Sequence, residues 1–140
     1  MSWNLKEQSL GTYVVGASLG ANTSVNAGSA IPYQIYSSTS GHGISVSNGV
    51  FTLPKGEWLV SFTLESHLSG VIHTADIYVD GSIDNKWPKI ECFANSTQSD
   101  MNTTAATIRS DGSTTIELRV NVTASAYGNR SDCIIYGVKL

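Results

Sequence analysis

The sequence predicts an all-β domain, an antiparallel sandwich or jelly roll of eight to ten short strands. Its composition favours strands and turns over helix interiors, with 20 Ser, 13 Thr and 13 Gly among 140 residues. Two segments alternate apolar and polar residues with a period of two, which buries one face of a strand and wets the other. Turns containing Gly, Pro, Asn-Gly or Asp-Gly separate further short apolar runs. The sequence shows neither a helical period nor an internal repeat.

The strongest strand signal lies in residues 57–65, where every even position is apolar and four of the five odd positions are polar. Residues 114–122 repeat this alternation from Ile116 onward. A turn precedes each segment, at residues 54–56 and at residues 111–112. Both segments are therefore predicted to be antiparallel strands with one buried face.

The other predicted elements are shorter. Residues 17–29 are rich in Gly, Ser, Asn and Ala and predict a loop, and Pro32 indicates a strand start or a sheet edge. An end as apolar as residues 133–140 would fray or aggregate unless it lay inside a sheet. We expect residues 1–9 to form an arm and residues 10–140 one jelly-roll domain. The remaining strand-like segments are 10–16, 31–36, 44–46, 50–53, 77–79, 87–93 and 104–109.

Charge and hydropathy exclude several classes of partner. The net charge is −3, and the eight Lys and Arg residues form no cluster that could replace the counterions of a nucleic acid. No apolar run approaches the about 18 residues of a membrane span, and the first eight residues lack the pattern of a signal peptide. We therefore predict no nucleic-acid partner and no membrane partner.

The sequence offers no catalytic constellation, so we predict a protein that is not an enzyme and has no cofactor. None of the histidines His42, His67 and His73 lies in a metal-ligand motif or beside a Gly-x-Ser-x-Gly turn. On a strand, His73 and Asp76 would point to opposite faces. The cysteines are too few for a metal-binding framework, and two interpretations stay open for them: two small buried side chains, or one disulfide. These are Cys92 and Cys133.

Two groups of residues are candidates for ligand binding. The acidic residues of one region could hold calcium, although solvated loop carboxylates are the favoured interpretation, so no metal site is predicted. Trp87 beside Asn85 could cover the face of a sugar, or it could be a core residue. His42, in a Gly-His-Gly loop, is a second candidate contact for such a ligand. The acidic residues are Asp76, Asp80, Asp84 and Glu91.

Residues 49–62, Gly-Val-Phe-Thr-Leu-Pro-Lys-Gly-Glu-Trp-Leu-Val-Ser-Phe, resemble the G-x-F-T-x-P-x-x-G-x-Y-x-F core of the tumour-necrosis-factor and complement globular-head jelly rolls. Trp58 stands where that pattern has an aromatic residue. Ser113 departs from the pattern, because an acidic residue is usual there, and no collagen-like stalk or coiled-coil neck precedes the domain. Three further segments resemble later parts of the family in the family's order: 77–81, 108–120 and 135–140.

The resemblance implies a homotrimer with a hydrophobic threefold axis, and Tyr13, Tyr136 and Val138 are the candidate trimer contacts. Similar jelly rolls occur in the tail fibres, tail needles and head decorations of bacterial viruses. A short chain that begins at Met1 without a signal and is rich in Ser, Thr and Gly fits such a virion protein better than a secreted ligand.

The expected function is therefore structural: a trimeric knob that decorates or stabilises a phage capsid, or caps a fibre, in a virion assembled in the host cytoplasm. Its partner would be the major capsid protein or another virion protein, with Trp3 and Leu5 of the arm as docking residues. The alternative is a carbohydrate- or receptor-binding module at a virion or cell surface that contacts a host glycan through Trp87 and the loop around His42. A small hydrolase is the third interpretation.

Overall fold

The computed structural model describes residues 11–19, 23–66, 72–93, 98–127 and 131–140. These ranges contain thirteen strands and no helix, so within them no helix could cross a membrane. The all-β prediction is confirmed, and the strand number exceeds the expected eight to ten because four strands have only two or three residues. The strands are β1 (Thr12–Ser18), β2 (Thr23–Val25), β3 (Gln34–Ser38), β4 (Ser45–Ser47), β5 (Val50–Thr52), β6 (Gly56–Ser66), β7 (Ile72–Val79), β8 (Ser82–Ile83), β9 (Ile90–Phe93), β10 (Asp100–Ser110), β11 (Thr115–Val120), β12 (Ala124–Tyr127) and β13 (Asp132–Lys139).

The strands form two antiparallel sheets. Sheet A has seven strands in the order β2, β12, β6, β13, β1, β3, and β10 pairs with the other edge of β6. Sheet B has six strands in the order β4, β5, β11, β7, β8, and β9 pairs with the first half of β7. The strand β6 is the centre of sheet A, because β10 pairs with its whole length and β13 with most of its opposite edge.

The core lies between the two sheets, as the alternating segments predict. Trp58, Val60, Phe62 and Leu64 of β6 are all buried. In β11 the even positions Ile116, Leu118 and Val120 are buried as well. Burying an apolar side chain of this size stabilises the folded state by about 1.5–3 kcal/mol, so each of these seven positions contributes to holding the two sheets together.

The C-terminal strand β13 lies between β1 and β6 in the middle of sheet A, as its apolar sequence predicts. Its residue Gly137 is required by packing. A Cβ atom at this position would lie 2.2 Å from the carbonyl oxygen of Glu57 and 2.5 Å from Cε3 of Trp58. The absence of a side chain therefore lets the Trp58 indole cross β13, where its Nε1 donates a hydrogen bond of 2.9 Å to the Pro54 carbonyl oxygen.

The prediction of a loop over residues 17–29 is wrong in part. Strand β1 continues to Ser18, and β2 begins at Thr23 and places Val25 in the core. Composition misled here, because strand pairing through the backbone does not require an apolar period. The segment predicted over residues 87–93 becomes a strand only at Ile90, because Trp87 belongs to the preceding turn.

Both cysteines are free, and both lie in the core, which decides between the two interpretations of their pattern. Burial is the main cause that raises the pKa of Cys92 to about 11. Burial also raises the pKa of Cys133 well above its ordinary value. Both thiols are therefore protonated at neutral pH and chemically inert, since the thiolate is the reactive form.

Candidate assembly surface

The outer face of sheet A is apolar at its centre. Five of its side chains are 42–67% exposed, and we call this group the apolar face. Strand pairing makes it continuous, because Tyr136 on β13 lies opposite Val14 on β1 and opposite Leu59 on β6. A shallow depression of about 260 Å³ lies beside Leu59, Tyr136 and Val138. The apolar face consists of Val14, Tyr36, Leu59, Ile134 and Tyr136.

Tyr36 joins the apolar face through a β-bulge. The register between β1 and β3 shifts so that Gly16 lies opposite Ser37, Ala17 lies opposite Ile35, and Tyr36 has no partner. Its ring covers Gly16, where an added Cβ would lie 3.1 Å from the Tyr36 Cζ and hydroxyl oxygen atoms. The bulge directs the Tyr36 ring over the sheet, and the lack of a Cβ atom at Gly16 leaves room for it.

The described charged residues of this face lie at its two ends. Glu57 and Arg109 form an exposed ion pair of 3.3 Å at one end, of a kind that contributes little to stability. Glu65 and Asp132 occupy outward positions near the other end. The centre of the face is thus left to apolar and small polar side chains, which is the pattern of a protein contact with a polar rim.

The centre of the outer face of sheet B, on β7 and β11, is polar and is completed by its own contacts. The Arg119 guanidinium lies 4.2 Å from the ring centre of Tyr78, and its Nε donates to Glu117 Oε1 at 2.5 Å. Asn121 Nδ2 donates to Asp76 Oδ2 at 2.6 Å. The sequence predicts water on this face, yet Glu117 is only 5% exposed. Its burial is tolerated because Arg119 pairs with it.

A second exposed apolar group, the edge patch, lies where β9 of sheet B meets β10 of sheet A. It consists of Ile72, Phe93 and Met101, which are 53–57% exposed. Ile72 and Phe93 are cross-strand partners on β7 and β9. The Phe93 N–H donates to Asp100 Oδ2 at 2.8 Å, which ties β9 to β10 beside Met101. The edge patch is thus at the opposite edge of sheet A from Tyr36.

The structure places the candidate ligand-binding residues in two loops. Trp87 is half-buried against the core, and its Nε1 donates to Asp84 Oδ2 at 3.0 Å. Asn85 is exposed in the same turn. His42 lies in a separate loop and accepts a 2.9 Å hydrogen bond from the Ile44 N–H at Nδ1. Only Asn85 and Trp87 are therefore brought together by the fold.

The candidate trimer contacts divide between the two sides of sheet A. Tyr136 and Val138 are on its outer side, whereas Tyr13 points toward the core side, with Lys139 Nζ at 5.3 Å from its ring centre. The alternation along β1 predicts this orientation, because Tyr13 is two residues from buried Val15 and therefore lies on the same side of the strand. The same parity argument would have found Val14, Leu59 and Ile134. Trp3, Leu5 and His67 lie outside the described residues.

Several titratable groups considered for catalysis or metal binding have structural roles in the described ranges. Ser66 Oγ is hydrogen-bonded to His73 Nδ1, and both residues are fully buried, so a substrate has no route to them. In these ranges no three His, Cys, Asp or Glu side chains come close enough to hold a metal ion. Two acidic candidates serve the fold: Asp80 Oδ1 accepts the Thr115 N–H at 2.9 Å, and Asp84 binds Trp87.

Comparison with solved structures assigns the fold. Murine APRIL at pH 5.0 superposes with a TM-score of 0.65 at 12% identity, covering 93% of this chain and 100% of that chain. The Eiger tumour necrosis factor of S. frugiperda gives a TM-score of 0.65 at 13% identity, covering 91% of each chain. The globular domain of the zebrafish complement 1qA protein gives 0.62 at 9% identity, covering 91% of this chain and 96% of that chain.

The fold is a jelly roll similar to those of the tumour-necrosis-factor and complement globular-head proteins. The jelly-roll prediction is confirmed. No family model matches the chain, and no curated protein matches its sequence. At identities this low the likeness concerns the fold alone, so the function of the jelly roll has to be argued from its surface.

Proposed function

We propose that three copies of the chain associate through the apolar face into a non-enzymatic knob that forms part of a virion. The observation that carries the proposal is the contrast between the two sheets. The centre of the outer face of sheet B is occupied by internal polar contacts, whereas the centre of the outer face of sheet A exposes five apolar side chains. An apolar group of this extent on an isolated chain indicates a protein contact.

The separate edge patch indicates the symmetry of this association. A twofold contact would pair the apolar face with itself and leave the edge patch in water. If the edge patch of one copy packs on the apolar face of the next, both groups are buried in a head-to-tail contact, and we propose that three such contacts close into a ring. The resemblance to families that are generally homotrimeric favours three copies. A stable contact of this kind buries roughly 1,000 Å² or more.

The virion setting is supported by the sequence pattern rather than by geometry. Trp3 and Leu5 are the proposed docking residues, and the proposed partner is the major capsid protein or another virion protein. Charged residues make up only 14% of the chain, which suits a tightly packed particle. A glycan-binding role has less support, because the Trp87 ring is half-buried and its indole N–H is already bound to Asp84.

Sedimentation and light scattering of apolar-face variants test the association. We expect the wild-type particle to have three times the chain mass of 14.9 kDa, and Leu59→Ser with Ile134→Ser to have the chain mass alone. The control is Ile83→Ser, which removes an apolar side chain of similar exposure from β8 of sheet B and should leave the trimer intact. A wild-type monomer at micromolar concentration would contradict the proposal.

Deletion of residues 1–9 tests the virion role separately. We expect the shortened chain to remain trimeric but no longer to decorate empty shells imaged by electron microscopy, because the proposed anchors Trp3 and Leu5 are removed. Trp3→Ala with Leu5→Ala should have the same effect with less disturbance. If the full-length trimer itself does not bind shells or fibres, the virion role is wrong while the trimer stands.

A further inference from the structure

A buried polar cluster lies directly beneath the edge patch. It consists of Ser66, His73 and Cys92, each at most 1% exposed. The chain places the edge patch on top of it, because Ile72 precedes His73 and Phe93 follows Cys92. Two of the three patch side chains are thus direct chain neighbours of residues of the cluster.

The cluster joins the two sheets. Ser66 ends β6 of sheet A and binds His73 Nδ1 on β7 of sheet B. Cys92 on β9 is the cross-strand partner of His73, and its Sγ donates to the Leu64 carbonyl oxygen of β6 at 3.4 Å. These two hydrogen bonds, each made by a side chain of sheet B to a residue of β6, hold the start of β7 and the adjacent β9 against sheet A.

We propose that His73 is an acid-sensitive clasp: its protonation opens this end of the sandwich, displaces the edge patch and releases the copies from one another. This inference rests on the trimer proposed above. It adds a condition under which the knob comes apart, namely mild acidity.

The chemistry of the imidazole gives the direction of the effect. A neutral imidazole can accept the Ser66 hydroxyl hydrogen at Nδ1, whereas an imidazolium carries hydrogens on both nitrogens and accepts none. Burial lowers the pKa of His73 from its ordinary value of 6.5. The opened state therefore binds a proton more strongly than the closed state. The closed state has its full stability above pH 6.5 and loses it as the pH falls below that value.

Other titratable and charged groups lie on the strands that pack around His73. On β9 the Cys92 thiol has a pKa of about 11 and stays neutral. Asp100 on β10 faces Cys92 and accepts the backbone N–H groups of Phe93 and Met101. Immediately after β11 lies the uncharged Asn121, whose backbone N–H donates to the Thr74 carbonyl oxygen. The other carboxylates nearby occupy outward positions of β6, β7 and β9: Glu65, Asp76 and Glu91.

The test is the mass of the particle between pH 8 and pH 5, measured by sedimentation. Each chain takes up one proton on opening, so the trimer dissociation constant should rise up to about a thousandfold per pH unit below 6.5. His73→Asn keeps an acceptor oxygen near the position of Nδ1 and removes the titration, so this dependence should disappear. The controls His42→Asn and His67→Asn should keep it.

Hydrogen exchange of the wild-type protein provides a second measurement that does not depend on a variant that folds. Below pH 6.5, peptides covering 72–79 and 90–93 should lose protection, after correction for intrinsic exchange, while a peptide covering 115–120 stays protected. A trimer whose mass and exchange do not change down to pH 5 overturns the clasp and leaves the trimer standing. A monomer at pH 7.5 overturns the trimer and the release step, and the exchange data then decide whether the clasp opens.

Discussion

At the scale of single residues, two glycines matter because an aromatic ring packs directly over each of them. Gly16 lies under the Tyr36 ring on the outer side of sheet A, and Gly137 lies under the Trp58 indole on the core side. The two differ in how much a methyl group would displace. At Gly16 the neighbour is the end of an exposed side chain, whereas at Gly137 the neighbours include the Glu57 backbone, which β13 and β10 hold in place.

We therefore expect Gly137→Ala to destabilise the folded chain by about 3 kcal/mol, because the added Cβ forces β13 and β6 apart. The melting temperature measured by circular dichroism should fall by roughly 10 °C. Gly11→Ala is the matched control, since an added Cβ there lies 3.6 Å from the nearest atom, an ordinary contact. If Gly137→Ala melts within 2 °C of the wild type, the packing described for Trp58 is wrong.

At the scale of elements, the sequence predicts the strands whose period matches their burial and misses those held by backbone pairing. The segments 57–65 and 114–122 alternate because one side of each faces the core, and β6 and β11 are found there. Strand β2 has three residues and pairs only with β12, so its sequence carries no period to read. For Glu117 the period predicts exposure, yet the side chain is buried. Its burial is possible because Arg119 pairs with it, and this pairing is recognised only when both residues are placed on one sheet face.

The same distinction, between what one strand's pattern predicts and what strand pairing adds, applies to the candidate assembly surface. Tyr136 and Val138 could be selected from the sequence because β13 is strongly apolar. Tyr36 reaches the apolar face through a β-bulge, and the local sequence pattern does not predict that bulge. The Ser66–His73 contact joins residues on different sheets, and the edge patch joins three strands. Surfaces and clusters of this kind depend on strand order, which the periodicity of one strand does not contain.

At the scale of the whole molecule, the jelly roll separates its stabilising core from its association surfaces. The core side chains of β1, β6 and β13 point between the sheets, while the apolar face includes the alternate positions of the same three strands. Leu59 therefore lies between two core residues, Trp58 and Val60, yet contributes to a different contact. Association can consequently be weakened without unfolding the chain, since a half-exposed side chain contributes little to the stability of the isolated sandwich.

This separation predicts how thermal stability depends on protein concentration. Unfolding of a trimer produces three chains, so a tenfold increase in concentration should stabilise each wild-type chain by about 0.9 kcal/mol and raise the melting temperature measurably. Leu59→Ser with Ile134→Ser should abolish this concentration dependence and melt below the wild type, because the variant chain lacks the stabilisation by association, while it still unfolds cooperatively because the core is untouched. Ile83→Ser, on sheet B, should keep the wild-type dependence. A wild-type melting temperature that is constant from 1 to roughly 100 µM would show that the chain unfolds as a monomer, and the assembly surface would then lose its main support.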